Sequence, residues 1–175
     1  ADFLAAAFEA HRWIALAAGT YFSTAQIIVP QRCRLRAKPG VTAKLNTDSV
    51  ANQVVLLDGD GAQITGDPGT PLVIDANLAA REGAGFSTYT HGVYSIGYDN
   101  VLAQDLVIQD YGETVADSAL LNTCAAVLDS DYLGLKDVVG GIVRRCSAID
   151  ANYKAPYGFR VRSALHGPVR GDRHR

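Results

Sequence analysis

Residues 100–110 read Asn-Val-Leu-Ala-Gln-Asp-Leu-Val-Ile-Gln-Asp, and residues 141–150 read Gly-Ile-Val-Arg-Arg-Cys-Ser-Ala-Ile-Asp. Both are short runs of apolar residues that end on an acid, and residues 132–138 form a looser third copy. Each unit can bury its inner face only against the copies above and below it, as in a solenoid. The arginines should face outward. The side chains expected to point inward are Val101, Ala103, Leu106, Ile108, Ile142, Cys146 and Ala148.

The rest of the chain also reads as short strands that are closely spaced and not interleaved with helices. Examples are residues 54–57, 72–75, 93–96 and 125–128, and the first of these stops at the turn signal Asp-Gly-Asp-Gly over residues 58–61. This pattern excludes a doubly wound fold and leaves a sandwich, a barrel or a solenoid. The repeated unit favours the solenoid.

One helix is predicted at the start of the chain. Phe3, Leu4, Ala7 and Phe8 fall on one face at helical spacing within residues 2–12. A helix laid over the end of a solenoid covers its apolar cross-section. We therefore expect a capping helix over 1–12, a parallel β-helix over 13–163 and a basic tail over 164–175. The chain begins inside the helical pattern and contains no Met, so we expect a processed chain or a piece of a longer protein.

Composition narrows the classes of function. Hydrophobic residues make up 48% and charged residues 19%, which favours a folded chain over a disordered one. The net charge of −2 gives no basic footprint for nucleic acid, and no apolar run is long enough for membrane insertion. The three cysteines are far apart and odd in number, so we expect buried thiols rather than disulfides or a metal motif. No metal and no cofactor are expected.

Several segments carry a family resemblance. Residues 18–21 (Ala-Gly-Thr-Tyr), 27–30 (Ile-Ile-Val-Pro) and 34–37 (Arg-Leu-Arg-Ala) resemble the opening coil of pectate-lyase-type β-helices, a superfamily that includes phage tailspikes. Residues 73–77, 91–93, 99–101 and 106–112 resemble its next coils, so the likeness extends over about residues 2–159. It implies an all-β fold, a right-handed parallel β-helix with a short N-terminal capping α-helix. It implies no single reaction, because the superfamily includes lyases, hydrolases, epimerases and inactive binders.

The resemblance also suggests where a site would lie. Parallel β-helices bind extended sugars along an outer sheet, and two turn regions, residues 109–113 and 150–162, are rich in suitable side chains. Tyrosine rings can stack on sugars, arginine forks match uronate carboxylates, and a lysine with a lowered pKa can act as a base. The expected catalytic residues are Asp150, Lys154, Tyr157 and Arg160. The expected substrate-binding residues are Tyr111, Glu113, Tyr153 and Arg162.

Two specific activities are disfavoured. Tyr157-Gly158-Phe159 resembles the first half of an alginate-epimerase motif, but Arg160 and Arg162 stand where that motif has Asp and His. A galacturonase-like hydrolase needs paired carboxylates, and no Asp-Asp pair follows the Asn-Thr-Asp of residues 46–48.

Two functions remain open. One is a carbohydrate-active β-helix that acts on or binds an acidic polysaccharide, as a polysaccharide lyase, a glycoside hydrolase or a phage tailspike or depolymerase fragment. The other is a non-catalytic structural or adhesive β-helix, such as a virion fibre segment. Acids and bases clustered on one outer sheet would indicate the first. Either function implies an extracellular or virion-surface location, and we expect the chain to form a homotrimer or to continue into further coils.

Overall fold

The computed structural model describes residues 2–85, 89–113, 124–129, 139–149 and 157–162. Helix α1 (Asp2–Ala10) comes first, and the strands then follow in rungs of three. The first two rungs are β1 (Trp13–Leu16), β2 (Gly19–Ser23) and β3 (Ile27–Pro30), then β4 (Arg34–Ala37), β5 (Val41–Leu45) and β6 (Gln53–Asp58). The third is β7 (Gln63–Thr65), β8 (Leu72–Asp75) and, after helix α2 (Leu78–Gly83), β9 (Tyr89–Ile96). The last two are β10 (Leu102–Gln104), β11 (Leu106–Gln109), β12 (Gly112–Glu113) and β13 (Cys124–Asp129), then β14 (Ile142–Arg144), β15 (Ser147–Ile149) and β16 (Tyr157–Arg162).

Each rung gives one strand to each of three parallel sheets. Sheet A has the order β1-β4-β7-β10-β14, sheet B the order β2-β5-β8-β11-β15, and sheet C the order β3-β6-β9-β13-β16. The short strand β12 lies outside this pattern and pairs antiparallel with β9. The described chain is thus mostly β, with parallel sheets, and the order of its strands fits a β-helix-like solenoid.

The core is built from inward side chains that lie over one another in successive rungs. Ile108 pairs in register with Ile74 below it and Ala148 above it, and both isoleucines are fully buried. The burial predicted for Val101, Leu106 and Ile108 is confirmed. Stacking of this kind is what lets strands of three to eight residues share one core, since no rung could bury its own apolar face alone.

The second repeat unit departs from its prediction. Ile142 is 48% exposed on the outside of sheet A, and Val143 instead packs against the core. Cys146 and Ala148 face the core but are only partly buried, because they lie in the last described rung. The wrong assignment of Ile142 came from a missed corner: Arg145 has a φ of 49° and resets the alternation between β14 and β15.

The predicted first helix is confirmed over Asp2–Ala10, with Phe8 buried in the core and Leu4 packed against it. Helix α2 was not predicted. It lies in a stretch that reads as a polar connection, and its six residues are too few for a periodic apolar face. None of the described helices is of a length and hydropathy that could cross a membrane. Residues 132–138 and the tail at 164–175 lie outside the described residues.

Candidate functional site

The outer face of sheet A carries two rows of side chains, one residue from each rung. Alternation turns Leu35, Ile64 and Ala103 into the core, so their neighbours on either side point away from it. The parallel registers then align these neighbours across the sheet. The first row is Trp13, Arg34, Gln63, Leu102 and Ile142, and the second is Ala15, Arg36, Thr65, Gln104 and Arg144.

Hydrogen bonds between rungs hold much of this face in place. Arg34 Nε donates to Gln63 Oε1 at 2.9 Å, and Arg144 Nη2 donates to Gln104 Oε1 at 2.7 Å. Gln104 Nε2 in turn donates to Asp105 Oδ2 at 2.7 Å. These bonds orient the side chains without neutralising the two arginines, since both acceptors are uncharged amides.

Asp105 anchors the corner next to this face. It has a φ of 55° and is buried, and the Arg145 guanidinium grips its carboxylate with two bonds of 2.5 and 2.8 Å. The hydrogen bonds from Arg145 lower the pKa of Asp105 below its ordinary value, and the same contact raises the pKa of Arg145. Asp105 is therefore an ionised structural anchor rather than a proton donor at neutral pH.

Two clefts of similar size open on this face. One has a cavity volume of about 180 Å³ and is lined by Arg34, Arg36, Gln104 and the loop after β7. The other has a volume of about 190 Å³ and is lined by Trp13, Arg36, Lys38 and the same loop. The loop, residues 66–71, leaves β7 at Gly66, where a Cβ would lie 2.0 Å from the carbonyl oxygen of Asp105. The clefts therefore depend on glycine at this position.

Arg36 is the residue that the two clefts share, and it makes no hydrogen bond or ion pair with any described residue. Its guanidinium offers donors in a fork that matches a carboxylate. Beside it, Trp13 is 54% exposed and offers an indole surface. An available cation next to an exposed aromatic ring suits an anionic ligand that also has flat apolar surface.

The predicted binding residues of the first turn region do not reach the surface. Tyr111 is 3% exposed and Glu113 is 5% exposed, so neither presents its side chain to a sugar. The reason is the backbone at Asp110, whose φ of 49° turns the chain inward before Tyr111. Glu113 then lies in β12, which is paired with β9.

The second turn region is described only in part. Asp150, Tyr153 and Lys154 lie outside the described residues. Tyr157, Arg160 and Arg162 belong to β16, and of these three the side chain of Arg160 alone is described. Arg160 forms an ion pair with the buried carboxylate of Asp129 in β13, which ties it to its own sheet.

Sheet C carries a second polar cluster around Arg160. His91 Nδ1 accepts a hydrogen bond from the Cys124 backbone N–H at 3.1 Å, and its ring lies 5.0 Å from the ring of Tyr94. Burial lowers the pKa of His91 to about 4 and raises the pKa of the Cys124 thiol to about 11. A neutral imidazole and a protonated thiol pack well but make poor catalysts at neutral pH.

The remaining surfaces offer less chemistry. On sheet B, Asp75 Oδ2 accepts hydrogen bonds from Lys44 at 2.9 Å and Gln109 at 3.1 Å. These three side chains of successive rungs thus bond to one another. A cleft of about 410 Å³ beside α1 and β3 is lined by uncharged residues such as Leu4, Ile28 and Val50. Within the described ranges, no three His, Cys, Asp or Glu side chains come together in a way that could hold a metal ion.

The outer face of sheet A was not among the sites predicted from the sequence, although the sequence contains part of the pattern that indicates it. The Arg-Leu-Arg of residues 34–36 predicts two arginines on one face of a strand by simple alternation. The register that brings Trp13 beside Arg34 was not predictable, because it depends on the lengths of the loops between rungs.

No protein-family model matches the chain, and no curated protein matches it. Among solved structures, it is similar to a "putative glycosyl hydrolase" from Parabacteroides merdae, with 11% identity and a TM-score of 0.47 over 91% of this chain and 82% of that one. A likeness at this level decides neither family nor activity.

Proposed function

We propose that this chain is a right-handed parallel β-helix of the pectate-lyase-like superfamily that binds an acidic polysaccharide on the outer face of sheet A. The observation that carries the proposal concerns Arg36, which makes no hydrogen bond or ion pair with any described residue. It lines both clefts and lies beside the exposed ring of Trp13. The rung-by-rung pairing supports the fold assignment, as does the resemblance of several short segments between residues 18 and 112 to known coils. The ligand's nature supports an extracellular or virion-surface location.

Binding is favoured over cleavage because, of the two acids that line the clefts, only Asp67 has a carboxylate oxygen without a bonding partner among the described residues, whereas glycoside hydrolysis needs a pair of carboxylates. Asp105, at the edge of the site, is held by Arg145, and Asp129 is held by Arg160. For a lyase or a glycoside hydrolase, Lys154 within residues 150–162 is the proposed base. The binding function is shared by a tailspike-type protein and by an adhesive fibre segment, so both remain within the proposal.

The test is calorimetry with a panel of acidic and neutral polysaccharides at low and high salt. Arg36→Gln should weaken binding of acidic chains about five- to tenfold, because it removes a charge-assisted contact. Lys44→Gln is the matched control: it removes one positive charge on sheet B and keeps a donor for Asp75. The difference between the variants should shrink at high salt as charges are screened.

Equal effects of the two variants would contradict a site on sheet A. The same incubations, analysed for shortened or unsaturated products, would test cleavage separately. If products form and Lys154→Met abolishes them while binding persists, the chain is an enzyme as well as a binder.

A further inference from the structure

The two clefts on sheet A differ in charge although they are nearly equal in volume. Each is smaller than the roughly 300–1,000 Å³ of a pocket for a drug-sized ligand, which suits a single sugar ring. Because Arg36 lines both, rings bound in the two clefts would be adjacent units of one chain.

The cleft beside Trp13 is balanced in charge once the shared Arg36 is set aside. It is lined by Lys38, which is positive, and by Asp67, which is negative. Asp67 Oδ1 accepts a hydrogen bond from the Gly69 N–H at 3.0 Å, and Oδ2 has no bonding partner within the described part of the chain. An exposed indole with a carboxylate oxygen at its side suits a ring that carries hydroxyl groups and no charge.

With Arg36 set aside in the same way, the cleft beside Arg34 has a net positive charge. Arg34 is bonded to an uncharged amide, and the Asp105 carboxylate is neutralised by Arg145. Gln104 adds a polar group at the far side of this cleft, two rungs above Arg36. When the shared Arg36 is counted in both, the cleft beside Arg34 has two guanidinium groups with no opposing charge, and the cleft beside Trp13 has two cations opposed by Asp67. The cleft beside Arg34 is therefore the better place for a ring that carries a carboxylate.

We infer that the clefts are adjacent subsites for a disaccharide, with a neutral ring against Trp13 and an acidic ring over Arg34 and Arg36. This rests on the proposed function and narrows its ligand to polymers in which neutral and acidic sugars alternate. The polymer runs along the stack of rungs, whose spacing of about 4.8 Å is close to the length of one pyranose unit. Asp67 excludes a second carboxylate from the Trp13 side by like-charge repulsion.

The test compares two hexasaccharides by calorimetry: one from hyaluronan, which alternates glucuronate with N-acetylglucosamine, and one of galacturonate alone. The alternating oligosaccharide should bind more tightly to the wild-type chain, although it carries half the charge. Asp67→Asn, which keeps the Oδ1 acceptor for Gly69, should strengthen galacturonate binding about two- to fivefold and leave the alternating ligand unchanged.

Asp48→Asn is the matched control, because Asp48 is an exposed acid in the turn between β5 and β6, away from both clefts. It should change neither affinity. Tighter binding of galacturonate to the wild-type chain, or equal effects of Asp67→Asn on both ligands, would overturn the two subsites while leaving an acidic-polymer site on sheet A intact. If neither hexasaccharide nor any other acidic chain binds, the proposed function fails and the inference fails with it.

Discussion

At the scale of single residues, buried charged side chains in this chain form hydrogen bonds and ion pairs that connect neighbouring rungs. Arg81 in α2 is fully buried, and its guanidinium donates to the carbonyl oxygens of Ser49 and Ala51 at 2.8 and 2.6 Å and to Thr90 Oγ1 at 2.6 Å. Burial lowers its pKa to about 10, so it stays charged at neutral pH. One side chain thus satisfies buried and partly buried acceptors from two rungs.

Arg81→Met should therefore destabilise the fold by about 3 kcal/mol or more, because it leaves several buried acceptors without a hydrogen-bond donor. Urea unfolding followed by circular dichroism measures the change. Arg12→Met, at an exposed position before β1, is the control and should cost little. Equal effects of the two variants would mean that the Arg81 network contributes no more than a surface charge.

His91 should make the fold sensitive to acid. Its pKa is lowered to about 4 in the folded chain, against about 6.5 when unfolded. The unfolded chain therefore takes up the proton first, and stability present above pH 6.5 is lost as the pH falls towards 4, by up to about 3 kcal/mol. His91→Gln keeps an acceptor for the Cys124 N–H and should flatten the stability profile in this window. An unchanged profile would contradict the assignment.

Neither role could be read from the sequence. Arg81 stands in a stretch of small and polar residues, and nothing local indicates that its side chain is buried. His91 is buried where it accepts a hydrogen bond from Cys124, which stands 33 positions later in the chain. Residue environments of this kind depend on which rungs become neighbours, and that is set by the whole chain.

At the scale of elements, a non-glycine residue with positive φ marks the corner between the strands of sheets A and B in each of the last two described rungs. Asp105 and Arg145 occupy equivalent places, 40 residues apart. At each of them, the alternation of inward and outward side chains shifts by one residue. Alternation was therefore enough to predict inward residues inside a strand, such as Ile108. It failed at Ile142, because the phase before a corner cannot be carried over from the strand after it.

The strand β11 allows a direct test of this alternation. Ile108→Ala should cost about 2–5 kcal/mol, as expected for a fully buried aliphatic side chain that leaves a cavity. Val107→Ala, one position earlier on the outer face, should cost much less. Similar losses of unfolding free energy for the two variants would contradict the inward and outward assignment.

At the scale of the whole molecule, the last described rung is less well covered than those before it. Val143, Cys146 and Ala148 are partly buried, whereas their counterparts Ala103, Leu106 and Ile108 in the rung below are fully buried. Apolar surface left at the end of a stack favours association or further coils. The short, closely spaced strands of the sequence were sufficient to predict a mostly β chain whose strand order fits a stack of rungs, but not how the stack ends.

We therefore predict that the isolated chain associates in solution, as a trimer. Sedimentation velocity across a range of concentrations should give a species of three chains at the higher concentrations. A monomer at all concentrations, with residues 139–162 protected from hydrogen exchange, would contradict this prediction.

The central claim is that an acidic polysaccharide binds on sheet A, and Trp13 allows it to be tested directly because it is the single tryptophan of the chain. Its indole is exposed in one of the two clefts, so a ring stacked on it must change its surroundings. Tryptophan fluorescence, titrated with an acidic chain that calorimetry shows to bind, should shift or quench with the same affinity, and Arg36→Gln should weaken both signals equally. Binding by calorimetry with unchanged fluorescence would contradict the claim.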